Sequence, residues 1–224
     1  MRSLRNIVLL MTILMFTAPI VVSGIAPEED VLASHTISLE KRYEDPSTNA
    51  VFKDNILLAL AYMNNEVKQN VRKSNYFEFV LLQGQTFAFH DAVLPFYQGK
   101  VIKTTNAHFN SIEGFKSDGY LIGDGVCHLA SLLYWVAKDA GLEANAPTNH
   151  DFANIPEVPR EYGVSIFAQK GVPGAMQNLY ITNNRNHPVI FKFNFDGHNL
   201  KITAEERTNR FAKKPFSLKR VFQY

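Results

Sequence analysis

Apolar residues recur at intervals of three and four in two stretches of the chain and alternate with polar ones in several others. That pattern predicts two helices and a set of short strands. In the first stretch Phe52, Ile56, Leu60, Met63 and Val67 share one face of a helix that starts after Ser47 or Thr48, either of which can cap it. In the second, Val126, Leu129, Ala130, Leu133, Val136, Ala137 and Ala140 mark a helix packed on a core. Gly123-Asp124-Gly125 leads into it, with Asp124 as N-cap or first-turn residue, and Gly141 supplies a left-handed stop. Tyr76–Leu82, Thr86–His90, Leu142–Ala146, Val164–Phe167, Leu179–Thr182, Val189–Phe195 and Leu200–Thr203 read as strands. Asp196-Gly197, between the last two, reads as a type I′ hairpin turn. Residues 25–50 are polar and irregular, a linker or docked arm with one short strand at His35–Leu39, and Gly99–Gly119 yields few elements. The expected class is α+β, a buried helix carrying the cysteine packed on a largely antiparallel sheet.

Composition adds a compartment to this outline. The chain has 224 residues, 46% of them hydrophobic, enough for one domain of moderate size. Arg2 and Arg5 precede the apolar run Ile7–Phe16, and Ala18–Gly24 ends in small residues, the pattern of a secretory signal peptide over residues 1–24. Left uncleaved, the same run approaches the length of a membrane anchor. Removing residues 1–24 takes away two basic residues and no acidic one, which leaves basic and acidic groups equal in number. That balance excludes a nucleic-acid binder working by bulk charge. The expected organisation is a signal peptide (1–24), an arm (25–50), a main domain (51–206) and a basic tail (207–224). The tail holds Arg207, Arg210, Lys213, Lys214, Lys219 and Arg220 and reads as a solvated end or a contact for an anionic wall polymer or membrane surface.

The candidate chemistry starts from Cys127, the only cysteine, which cannot form an internal disulfide in an extracytoplasmic protein. In the first turn of a helix, unpaired backbone N–H groups and the helix dipole favour a thiolate over a thiol. Equally, a lone cysteine packs as a small hydrophobe. His150 follows 23 residues later, after room for the helix, its glycine stop, a strand and a loop. A cysteine at a helix start with a histidine at the head of a strand is the arrangement of several thiol enzymes. Cys127 is then the candidate nucleophile and His150 the base. Glu161, or alternatively Asp151, orients the imidazole, and backbone N–H groups near Cys127 stabilise an oxyanion. His128 and His150 fit no usual zinc spacing, so no metal is expected. No phosphate loop, dinucleotide fingerprint or serine-hydrolase elbow is present in the sequence, and no cofactor is expected.

Three separated motifs resemble the VanW family, named for an accessory gene product of vancomycin-resistance clusters. They are Asp54–Leu60, Leu82–His90 and Gly123–Tyr134, the last similar to Gly-Gly-Gly-Val-Cys-Gln-x-Ser-Thr-Thr-Leu-Tyr with Asp124 and His128 as departures. His150 lies where the family has a downstream histidine, and Asn178–Asn184 is similar to a family strand. The likeness spans roughly residues 53–195. It implies a secreted or envelope-associated bacterial protein of a kind often found beside peptidoglycan-binding modules, and it names no reaction. The order of cysteine helix, histidine and strands also resembles the core of transglutaminase-like thiol enzymes. That family has an aspartate where this chain offers Glu161. Two readings therefore stand: an envelope module that binds peptidoglycan or another wall polymer, and a cysteine-dependent hydrolase or transferase acting on wall or peptide amides.

Overall fold

The computed structural model describes residues 28–67, 72–73, 75–119, 122–168 and 174–208. The expected signal peptide and residues 209–224 of the expected tail lie outside them. Eight strands and two helices follow in the order β1 (Glu28–Ser38), α1 (Pro46–Met63), β2 (Asn75–Leu81), β3 (Thr86–Ala88), β4 (Val101–Lys103), α2 (Val126–Asp139), β5 (Glu143–Asn145), β6 (Tyr180–Thr182), β7 (Val189–Phe195) and β8 (Asn199–Thr208). Two four-stranded sheets result, in the orders β1-β8-β7-β2 and β4-β3-β6-β5. All strand pairs are antiparallel except β3 with β4. The class is α+β, as the pattern of apolar positions predicts.

Alternation explains the larger sheet. Phe191, Phe193 and Phe195 of β7 and Phe77, Phe79 and Leu81 of β2 face inward and are buried. Phe77 stacks on its cross-strand partner Phe193 with ring centroids 4.5 Å apart, and Phe79 on Phe191 at 5.2 Å. Phe79 also stacks on Phe87 of β3 at 5.2 Å, which joins the cores of the two sheets. The opposite face carries Lys192, whose Nζ lies 2.7 Å from Glu29 and 2.5 Å from Glu205, and Arg207, 2.9 Å from Glu29. α2 packs against β1, β8, β5 and α1, and its residues Leu129, Leu132, Leu133 and Val136 are fully buried.

Several sequence expectations change in the structure. Of the two readings of residues 25–50, linker or docked arm, residues 28–38 take the second, with a strand longer than the expected His35–Leu39: β1 pairs along its length with β8, and the following turn is pinned to α1. Asn49 accepts from the amides of Arg42 (2.6 Å) and Tyr43 (3.1 Å) and donates to Leu39 O (3.2 Å). Arg42 itself is 1% exposed; its guanidinium donates to Ser38 O (2.7 Å) and Pro156 O (3.0 Å) and pairs with Glu157. Asp45, not Ser47 or Thr48, caps α1 by accepting from the Thr48 amide (2.9 Å), with Pro46 at the first helical position. The helix ends at Met63, so Val67 falls beyond it and is exposed. The Asp196-Gly197 turn is a three-residue loop with positive φ at Gly197 alone. Asp196 shapes it by accepting from the amides of His198 (2.8 Å) and Asn199 (2.7 Å). The larger sheet takes β8 through Thr208, so Arg207 belongs to a strand rather than to the tail.

Candidate functional site

A glycine turn brings α2 onto α1. Gly125 sits at the N-cap of α2 at φ 96°, and a Cβ there would lie 2.7 Å from Phe52 O, so the turn meets the α1 backbone directly. No side chain caps α2. Asp124, the expected cap, instead accepts from the Asp118 amide at 2.9 Å. Asn55 of α1, 1% exposed, clamps this turn from below. Its Nδ2 donates to Lys116 O (3.0 Å) and Asp124 O (2.9 Å), and its Oδ1 accepts from the Lys116 amide (2.9 Å).

Burial, with the Asp118 carboxylate nearby, raises the Asp124 acid to about 6. A carboxyl raised in the folded state holds its proton longer there than in the unfolded chain, whose aspartates titrate near ~3.9. The contribution of Asp124 to folding stability therefore falls as pH rises from about 4 to about 6, against the opposite trend of the buried His128, whose basicity burial lowers. Asp124→Asn is expected to remove this contribution, so that stability rises more steeply with pH over this range than in the parent protein, which urea unfolding at pH 4, 5, 6 and 7 would show. An unchanged slope in the variant would contradict the assignment.

Cys127 lies in the first turn of α2, half-buried against the core. Its Sγ accepts from the Ile166 amide at 3.4 Å and faces Ile166 O at 3.8 Å. One turn on, the fully buried Ser131 donates to Cys127 O (2.7 Å) and accepts from the Val164 amide (2.9 Å). The intervening Ser165 amide goes to Thr148 O (3.0 Å), and the following Phe167 amide to Gln177 O (3.0 Å). Residues 164–167 alternate as a strand should, yet they join neither sheet. Alternate amides on one side of the segment are taken by the side chains of α2. Burial pushes the Cys127 thiol up to about 11, and the Asp124 carboxylate adds to this. The helix start does not offset that desolvation.

The sequence candidates around Cys127 come only partly together. His128, the neighbour on the helix, is 5% exposed, with its ring 5.0 Å from Phe52 and 6.4 Å from the ring of His150. Burial, with Arg42 and His150 nearby, holds His128 down to about 3, and its Nδ1 has no hydrogen-bond partner. His150 is 6% exposed, bonds through Nδ1 to Ala153 O (3.1 Å) and touches the exposed ring of Phe152 at 4.0 Å. Burial lowers its basicity. Among the described residues no hydrogen bond links His150 to Cys127, to Glu161 or to Asp151. Asp151 instead accepts from Asn149 Nδ2 at 2.8 Å, and Glu161 stands exposed in the short 3-10 turn Arg160–Tyr162. No group of three or more His, Cys, Asp and Glu side chains among the described residues is placed to hold a metal ion.

Sequence reasoning passed over Arg42, Asn49, Asn55 and Ser131. The three amides and hydroxyls among them sit at helical positions, and their signal is a polar residue on an otherwise apolar face. Beside them, a cavity of about 250 Å³ is lined by Glu40, Tyr43, Glu44, Pro46, Asn49, Ala50, Lys53 and Arg72. Tyr43 links this cavity to the His128 region through Phe52, 5.5 Å away.

Fold and site together define an α+β domain built on a glycine-led, cysteine-bearing helix clamped to a preceding helix. The chain belongs to the VanW family: the family described as VanW like protein matches residues 53–204, from α1 into β8. Neither the curated proteins nor the solved structures hold a match to the chain.

Proposed function

We propose that this VanW-family protein is an accessory module of the bacterial cell envelope that binds peptidoglycan or another wall polymer, with Cys127 in a structural role. The observation that supports it is the use of the Cys127 sulfur: it accepts a backbone amide just as Ser131 does one turn later. A thiol held near 11 is neutral at physiological pH, and its hydrogen bonds go to Ile166 rather than to an imidazole. The apolar leader pattern of residues 1–24 supports export to the envelope. Without a competing reaction, the family membership and the near-neutral charge fit recognition by shape and hydrogen bonds.

Two measurements test this reading. Alkylation of the folded protein by iodoacetamide at pH 7 is expected to run at least about a hundredfold slower than that of a free cysteine, because the thiolate is scarcer by that factor. Cys127→Ser, which keeps an acceptor for Ile166, is expected to leave binding to isolated cell-wall material unchanged. Fast labelling at about pH 6 that disappears in His150→Ala would favour the thiol hydrolase or transferase. Failure of the wild-type protein to sediment with wall material would overturn the binding module.

A further inference from the structure

The turn that carries the chain from β1 into α1 borders the cavity of about 250 Å³. Six of its eight lining residues precede residue 53, where the match to the family begins. The docked arm of this chain therefore builds most of the cavity, and the family domain completes it with Lys53 and Arg72. Tyr43, Pro46 and Ala50 supply its apolar lining. Tyr43 is 50% exposed, and its hydroxyl has no partner among the described residues. The charged lining is balanced, with the carboxylates of Glu40 and Glu44 against the cations of Lys53 and Arg72. The fold fixes three of these four. Lys53 Nζ pairs with Glu40 and donates to Gly197 O (3.1 Å), and Arg72 pairs with Asp54 (2.5 Å). Glu44 has no hydrogen-bond partner among the described residues.

We propose that this cavity binds one or two rings of a neutral saccharide, an inference that rests on the wall-binding reading and gives it a site and a ligand class. The volume lies just below the roughly 300–1,000 Å³ of drug-sized ligand sites, which suits a small ligand. Charge decides its class. A phosphate or carboxylate would meet Glu40 and Glu44, and an ammonium would meet Lys53 and Arg72, so neither sign is favoured. A sugar ring suits both linings. Its C–H face packs on the Tyr43 ring, and its hydroxyls, which donate and accept alike, reach the Glu44 carboxylate and the Tyr43 hydroxyl. The site is also set before the ligand arrives. Asn49 holds the Tyr43 amide at 3.1 Å, so little backbone ordering is left to oppose binding.

Isothermal titration calorimetry of the full chain with the tetramer of N-acetylglucosamine, a neutral soluble saccharide, tests this beside sedimentation with isolated cell-wall material. The protein is expected to bind the tetramer with an affinity that changes less than about twofold between roughly 0.05 and 0.5 M salt. Tyr43→Ala removes the ring and Ala50→Leu fills the cavity, and each is expected to weaken binding about tenfold or more. Tyr43→Phe keeps the ring and is expected to retain most of the affinity. Thermal unfolding of each variant checks that the fold is kept, and either of the two disruptive variants suffices. Tetramer binding that both variants retain overturns the proposal, as does binding that collapses at high salt. Sedimentation with wall material without any binding of the tetramer also overturns it, and leaves the wall-binding reading intact. Cavity-dependent binding of the tetramer without sedimentation would uphold the site and strike the wall-binding reading alone.

Discussion

Gly125→Ala is expected to destabilise the protein by about 3 kcal/mol or more and to lower its melting temperature by roughly 10 °C. Two costs combine at this position. An L-residue forced to φ 96° pays roughly 1–2 kcal/mol in backbone strain. The new methyl would also lie 2.7 Å from Phe52 O and 3.0 Å from Phe52 Cα, backbone atoms in mid-helix that cannot turn aside as a side chain would. Overpacking of that kind adds about 1–3 kcal/mol, and a few degrees are lost per kcal/mol in a domain of this size. Gly84→Ala separates the two costs, because Gly84 has φ 78° and open space around it. Thermal unfolding followed by circular dichroism is expected to show only the smaller loss there. Similar losses at both sites would mean that close approach of the turn to α1 contributes little.

Arg42→Ala is the second large effect, about 3 kcal/mol by urea unfolding. Among the described residues Arg42 is the largest fully buried side chain, and three partners depend on its guanidinium. Its own ionisation is disfavoured by burial, which Glu157 offsets only in part. Removing one member of a buried pair costs about 3–5 kcal/mol, since the other is left without compensation. Here the lower end applies: the Glu157 side chain is 39% exposed and regains water, while the carbonyls of Ser38 and Pro156 lose their donors in a closed space. Arg42→Lys retains the charge without the fork that reaches three directions, and is expected to recover less than half of the loss. Full recovery with lysine would show that charge alone holds the turn.

These two residues also mark where sequence reading succeeds and where it stops. The two helices and the hairpin strands β7 and β8 carry long apolar periods, and their existence is legible from spacing. Gly125 is legible as a break in the chain. Its contact with Phe52 is not, because the distance between the backbones of two helices leaves no trace in either pattern. β1 was obscured for another reason. It lies at a sheet edge, with Glu28, Glu29 and Asp30 at one end and polar residues along it, so its pairing with β8 replaces the missing hydrophobic signal. Arg42 in a polar stretch resembles any surface arginine; only the fold encloses it. At the candidate site, the motif around Cys127 pointed to the family, which residues 53–204 confirm. The environment of the sulfur could not be read there, since its partner Ile166 lies 39 residues away in a segment whose alternation imitates a strand.

That segment has a consequence for the order in which the chain assembles. A strand can seek a neighbouring strand before either is fully formed, because both offer the same repeating backbone. The amides of Val164 and Ile166 have no such freedom. The acceptors for Val164 and Ile166 are side chains one helical turn apart, and they fall into line only once α2 is wound. Closing the loop between them early costs chain entropy with no bond in return. The helix thus presents a template, and the place of this face of the segment is set by the spacing of a cysteine and a serine.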